Sequence, residues 1–354
     1  MNRAGVALLT ASHAVDDLYQ GAVPALLPFL VAERHYTYAA ASGLILAGLS
    51  SSYHLTWLAI ALSGIGVAAF HPEAARSARI ASAGSQTAMS WFAVGGNVGL
   101  TLGPLLVTPV LLATGVRGTA LLAIPALLVG ATVLILQPRL LPRAAASTRS
   151  PVRAERDDWR GFARLTGLVV TRAVLFFGLA SFLALYVTNS LGGSKTLGEA
   201  ALALFLGCGA VGTLTGGHLA DRFGRLPVVR TGYALAIPSL TGLVLVGRPW
   251  IFLFIVLTAI TVYLPFSIQV TLGQDFLPNR VGTASGVSLG LAITMGGLLS
   301  PILGVLADAT SLRVTLAVLI FLPVLALLIA TTIRDPRTAS RAAAQRAERS
   351  SAVV

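Results

Sequence analysis

Cysteine and lysine are almost absent from this chain: Cys208 and Lys195 are the only ones in 354 residues. A single thiol excludes an internal disulfide framework and a thiolate metal site, and Cys208 lies inside an apolar run, where it reads as a packing residue. Charge is scarce too, at 11% of residues against 55% hydrophobic, and mean hydropathy is +0.83. That leaves too little polar surface to clothe a soluble domain of this length. The chain also lacks a nucleotide-binding loop, a metal-ligand cluster and any Ser-His-Asp or Cys-His set among its five histidines. An enzyme is therefore not expected, and neither is a cofactor.

What the chain has is long apolar runs. With about 20 apolar residues per crossing helix, there is room for about ten to twelve spans. The runs place them at 5–31, 53–71, 85–110, 116–136, 163–187, 198–219, 229–247, 249–271, 282–305 and 312–333. The expected organisation is a first transmembrane half over 1–136, a polar linker at 137–160 rich in Pro, Arg, Ser and Ala, a second half over 161–333, and a basic tail at 334–354. The first run is read as a span and not a signal peptide, because His13, Asp16 and Asp17 interrupt it and no small-residue cleavage site follows.

The net charge of +12 would suggest nucleic acid in a soluble protein. Here nineteen arginines fall on one set of loops and termini and only five basic residues on the other, with Arg172 inside a span. Arginine collects on the cytoplasmic side of a membrane. The expected partners are thus the lipid bilayer and not nucleic acid, with both termini in the cytoplasm and the chain in the cell inner (plasma) membrane.

One charged turn between two apolar runs carries a recognisable order: Gly216-Gly217-His218-Leu219-Ala220-Asp221-Arg222-Phe223-Gly224-Arg225. It resembles the loop signature G-x-L-A-D-R-x-G-R of the major facilitator superfamily of secondary transporters. Four further stretches narrow the resemblance to the fosmidomycin resistance protein group of drug exporters. They are His13-Ala14-Val15-Asp16-Asp17-Leu18-Tyr19-Gln20-Gly21, Ala69-Phe70-His71-Pro72-Glu73-Ala74-Ala75-Arg76, Gly95-Gly96-Asn97-Val98-Gly99, and Leu272-Gly273-Gln274-Asp275-Phe276-Leu277-Pro278-Asn279-Arg280. The resemblance implies an all-α integral membrane fold of two helical halves, with twelve spans and an Asp-Arg loop in each half.

This chain departs from that pattern. The segment from Gly84 echoes the one from Gly282 at an offset of 198 residues, whereas the halves begin at an offset of 159, a difference of 39. About 40 residues are thus missing from the first half, near Gly48 to Ser52, and about ten spans are expected instead of twelve. Tyr36 to Ser52 reads as a half-inserted or periplasmic piece.

The intramembrane polar residues are the candidate site. His13, Asp17 and Gln20 recur at helical spacing with Asp16 flanking them, a polar stripe fit for proton coupling or for a capped acidic turn. Arg172, the counterpart of His13 in the repeat, is placed at the same depth across a cavity between the halves. There it would gate, bind an anionic group of the substrate, or form a structural ion pair. His71, Glu73 and Arg76 follow the second span and suit a cytoplasmic proton relay or an interfacial turn. Asp221, Arg222 and Arg225, with Gln274 and Asp275, occupy similar cytoplasmic positions as gate residues. Gly95, Gly99 and Gly103 recur every fourth residue before Pro104, a spacing for close helix packing that partly resembles the antiporter signature of exporters in this superfamily.

The function expected from these residues and the resemblance is proton-coupled efflux of a small drug such as fosmidomycin by alternating access, from a monomer. Two alternatives stand beside it: an importer of a small metabolite or sugar on the same fold, and a deletion product that does not transport.

Overall fold

The apolar runs leave helices as the only economical conformation, because a backbone N–H or C=O without a partner in hydrocarbon costs several kcal/mol. The structure, a computed structural model, describes residues 1–34, 53–140 and 156–337, and all of its regular elements are helical. Each of the ten expected spans falls on helix. Eight helical stretches among the described residues are long and apolar enough to cross a membrane by length and composition. The two outside that count carry the polar residues of interest: α1 (Arg3–Arg34) and α2 (Tyr53–Ser82). The expected discontinuity at Gly48 to Ser52, and the piece from Tyr36, lie outside the described residues.

The chain divides into two compact units, Met1–Val152 and Arg153–Val354, with the boundary inside the polar linker segment. In the first unit α1 lies along α3 (Gln86–Thr114), and α2 packs against α1. Ser85 starts α3 by accepting a hydrogen bond from the Ala88 N–H at 3.2 Å. A 3₁₀ stretch, Val116–Leu122, leads into α4 (Ala123–Leu140). Tyr19 ties α1 to this corner, its hydroxyl donating to the Leu122 carbonyl at 2.6 Å and accepting from the Ala126 N–H at 3.0 Å.

Small residues let α1 and α3 meet backbone to backbone. A methyl group on Gly95 would sit 2.3 Å from the Thr10 carbonyl oxygen, and one on Gly99 would sit 2.1 Å from that of Ala14. Neither is sterically possible without parting the helices.

The second unit holds α5 (Trp159–Leu185), α6 (Lys195–Phe223), α7 (Arg225–Leu245), α8 (Ile251–Tyr263), α9 (Phe266–Phe276), α10 (Val281–Gly286), α11 (Ala292–Ala309), α12 (Leu312–Val318) and α13 (Phe321–Thr332). Asp158 starts α5, accepting from the Gly161 N–H at 2.9 Å. Where the sequence reading has three unbroken spans, the structure has jointed ones: α8 passes to α9 at Leu264 and Pro265, α10 to α11 through a π turn at Val287–Leu291, and α12 to α13 at Leu319 and Ile320. The first joint has a direct cause. Pro265 lacks the N–H that would continue the α8 ladder.

α2 differs from expectation in the other direction. The sequence reading ends it at residue 71, with Pro72 bending the chain, yet the helix runs through Pro72 to Ser82. A proline removes one hydrogen bond, and a helix gripped by neighbours tolerates that loss. The consequence is that His71 lies inside a helix of 30 residues and not after its end.

Candidate functional site

Four ionisable side chains of the first unit meet between α1, α2 and α3. His13 and Asp17 are one turn apart on α1, and the His13 Nε2 lies 3.3 Å from the Asp17 Oδ2. His71 reaches across from α2, its Nε2 3.3 Å from the Asp17 Oδ1 and its Nδ1 3.4 Å from the Asp16 Oδ2. The far nitrogen of His13, Nδ1, lies 2.8 Å from the Phe92 carbonyl oxygen on α3. Phe92 also stacks on the His13 ring at 4.4 Å between centroids, which fixes its plane.

Together these contacts form a line: Asp16, His71, Asp17, His13, Phe92 carbonyl. Side-chain exposure is 16% at Asp16, 8% at His71, 9% at Asp17 and 3% at His13, so Asp16 is the more accessible end of the line and His13 the more enclosed.

Hydrogen-bond chemistry restricts where protons sit on this line. A carbonyl oxygen only accepts, so the His13 Nδ1 carries a proton and donates it to Phe92. In a neutral imidazole Nε2 would then turn a lone pair toward the Asp17 carboxylate, and a proton between them removes that repulsion. His71 faces a carboxylate oxygen with each nitrogen and carries one fixed proton when neutral. With its N–H turned to Asp17, the open contact is at Asp16. The Asp16 Oδ2 is buried and out of line for a hydrogen bond from His71, so it has no hydrogen-bond donor among the described residues. A proton placed on that oxygen would face the His71 Nδ1 across 3.4 Å, a contact that a small shift of either side chain turns into a hydrogen bond. The ligand-type atoms of His13, Asp17 and His71 also lie within 4.8 Å of one another, so these are the described side chains close enough to share one cation.

Gly96 makes room for the cluster. A methyl group there would lie 2.3 Å from the Asp17 Oδ2 and 2.8 Å from the His13 Nε2. Gly96→Ala is therefore expected to destabilise the protein by about 1–3 kcal/mol through overpacking and to part His13 from Asp17. A thermal melt of the purified variant checks this, a wild-type midpoint being the contrary result.

The other expected site residues are distributed as follows. Gln20 falls on α1 and Pro104 on α3, their side chains outside the described ones, and Gly103 is buried on α3. Glu73 and Arg76 turn outward from α2 and pair with each other at 2.7 Å, with side chains 62% and 45% exposed. Beyond the apolar part of that helix, the Arg76 hydrogen bonds hold the Glu73 carboxyl below its usual range. Glu73 thus faces away from His71, and the two do not form one relay.

In the second unit the gate residues separate. Asp221 and Arg222 are exposed at the end of α6, with the Arg222 guanidinium over the Phe223 ring at 5.1 Å. Arg225 is buried and donates through Nη1 to the Asp275 Oδ2 at 2.6 Å, through Nε to the Asp335 Oδ2 at 2.8 Å and through Nη2 to the other Asp335 oxygen. Arg337 closes the group at 2.8 Å from the Asp275 Oδ2. Gln274 is buried beside it and donates to the Ser285 Oγ at 3.0 Å. Nearby, Arg164 and Arg230 cap the end of α13 by donating to the carbonyls of Thr332, Ala330 and Ile333. Asp335 was not anticipated from sequence, because it sits past the last apolar run, where charge is ordinary.

Arg172 is buried in the middle of α5. Its Nε donates to the Gln269 Oε1 at 3.0 Å, and its guanidinium carbon lies 4.5 Å from the centre of the Phe266 ring. The Gln269 amide in turn donates to the Tyr233 hydroxyl at 2.7 Å.

Comparison with known proteins places this chain among transporters. Residues 37–301 and 165–354 match the Major Facilitator Superfamily. The chain is 31% identical over 299 residues to the fosmidomycin resistance protein of Escherichia coli (strain K12), covering 81% of this chain and 72% of that protein. It is 29% identical over 281 residues to an uncharacterised MFS-type transporter of Bacillus subtilis (strain 168), covering 75% and 67%. Among solved structures it is similar to the MFS transporter FucP in its outward conformation, with a TM-score of 0.65 at 14% identity over 92% of this chain and 98% of that one. A bacterial homologue of the iron transporter ferroportin in an outward-facing state gives 0.62 at 17% identity, covering 93% and 87%.

Proposed function

The chain belongs to the Major Facilitator Superfamily, and from that membership we propose that it exports a small drug such as fosmidomycin from the cell in exchange for protons. The observation that carries the reading is the line from Asp16 to His13, a buried chain of acids and imidazoles with one carboxylate oxygen left without a donor. Ionisable side chains are expensive at membrane depth and mark ion pathways when they occur there. Asp16, at the more accessible end, takes up the proton; His71 relays it; Asp17, held between two imidazoles, and His13, anchored on Phe92, terminate the line. Loading and release of that proton bias the two access states of the transporter, which is the thermodynamic requirement for coupling. The drug as substrate is supported by the name of the Escherichia coli relative.

The protein is further proposed to work as a monomer in the cell inner membrane with both termini in the cytoplasm, an orientation supported by the arginine asymmetry of its loops. Arg225 with Asp275 and Asp335 is proposed as a cytoplasmic latch of the second half.

The test is drug tolerance in a strain stripped of its own exporters. Expression of the chain is expected to raise fosmidomycin tolerance, and a protonophore to abolish the gain. Tolerance that survives the protonophore would contradict proton coupling. A second reading, a deletion product that does not transport, is favoured by the 39-residue offset between the halves. It is distinguished in the same assay by a version with the block restored, which alone would then protect the cells.

A further inference from the structure

We propose that Arg172 is an anion-binding residue and that the transported molecule carries a two-oxygen anionic group, phosphonate or carboxylate, which docks on its guanidinium. The proposal rests on the exporter reading for the word transported, and on the geometry of α5, α7 and α9 for the rest.

Arg172 is 6% exposed, yet no carboxylate of the described residues pairs with it. That sets it apart from Arg225, which is equally buried and held by two aspartates. A guanidinium offers five N–H donors. One of them, at Nε, goes to Gln269. The four on the Nη atoms have no acceptor among the described residues, and they form the planar fork that matches two oxygens of a carboxylate or phosphonate.

The surroundings hold this fork and do not neutralise it. The Gln269 amide is fixed in orientation because its nitrogen donates to Tyr233, so its oxygen must face Arg172. Gln269 is 1% and Tyr233 0% exposed, so neither has room to turn. Phe266 supplies a ring face to the cation, which attracts the charge without accepting a hydrogen bond. Three neutral side chains thus orient a permanent positive charge in an apolar unit. A buried charge left uncompensated is destabilising, and an arriving anion recovers that cost at the moment of binding. A neutral substrate would recover none of it.

The experiment is isothermal titration of the purified full-length chain in neutral detergent with methylphosphonate and acetate, against the neutral dimethyl ester of methylphosphonate. The expected result is saturable binding of the anions and none of the ester. Arg172→Gln is expected to weaken methylphosphonate binding at least about 30-fold, on the scale of losing one partner of a buried charged pair. Arg172→Lys keeps the charge without the fork and is expected to fall between. Equal binding of the ester and the anion would overturn the proposal using the unmodified protein alone, so a variant that fails to fold does not shield it. Stronger binding of dihexanoyl phosphatidic acid than of methylphosphonate would overturn it too, since the site would then belong to a lipid headgroup. Binding is read without transport. A chain that binds methylphosphonate through Arg172 but confers no fosmidomycin tolerance would refute the exporter reading and leave this one standing.

Discussion

Asp16→Asn is expected to abolish proton-driven export while leaving the protein folded. An amide has the shape of the acid but cannot take up and release a proton, so the line through His71 to Asp17 loses its open end. General acid–base groups contribute about 10²–10⁴-fold to the steps they serve, and a loss of coupled transport of about 100-fold or more is the expected size. Stability should change little, because the Asp16 Oδ2 accepts no hydrogen bond that the amide would forfeit. Asp17→Asn is expected to behave differently. Asp17 faces both imidazoles, and an amide offers them one accepting oxygen in place of two. Melting temperature and export should then fall together. The pair of variants therefore separates a proton carrier from a structural clamp; identical behaviour of the two would contradict the distinct roles given to them.

Arg225→Ala is the substitution expected to cost most in stability. It leaves Asp335 with the Arg337 backbone N–H but no guanidinium, and takes from Asp275 one of the two arginines that pair with it. Breaking a buried pair from one side typically costs 3–5 kcal/mol. The carboxylates here are 17% and 14% exposed, so water recovers part of that and about 3 kcal/mol is the expected loss. Arg225→Lys should lose less, since one ammonium can pair with one aspartate but cannot fork between two. Thermal melts in detergent decide the matter. A wild-type melting curve for Arg225→Ala would show that the four charged groups hold nothing.

The helices were legible because hydrocarbon admits little else, and each apolar run is helical, three of them with a joint inside. Their joints were not. Pro265 and Pro72 look alike in sequence, yet one ends a helix and the other is carried through it, and which happens depends on what the neighbours supply. That difference decided the site. Read as a stop, Pro72 puts His71 at a cytoplasmic turn with Glu73; read through, it puts His71 on α2 facing Asp16 and Asp17, a partner 54 or more residues away in the chain. Gly96 was passed over for a related reason. The four-residue spacing drew attention to Gly95 and Gly99, which face the α1 backbone, while one further step around the helix turns Gly96 to the His13 and Asp17 side chains. Arg172 stood out as a lone arginine in an apolar run. Its setting did not, because Gln269 and Tyr233 are ordinary residues of distant helices until the fold gathers them.

The most direct test of the central claim is made in sealed vesicles containing the purified chain, with an imposed pH gradient and fosmidomycin and protons followed together. The expected result is drug movement against its own gradient, with protons crossing the opposite way, both collapsing with a protonophore and both absent in Asp16→Asn. Drug that merely equilibrates, or moves unchanged when the proton gradient is removed, would contradict the assignment of the Asp16-to-His13 line as the coupling device.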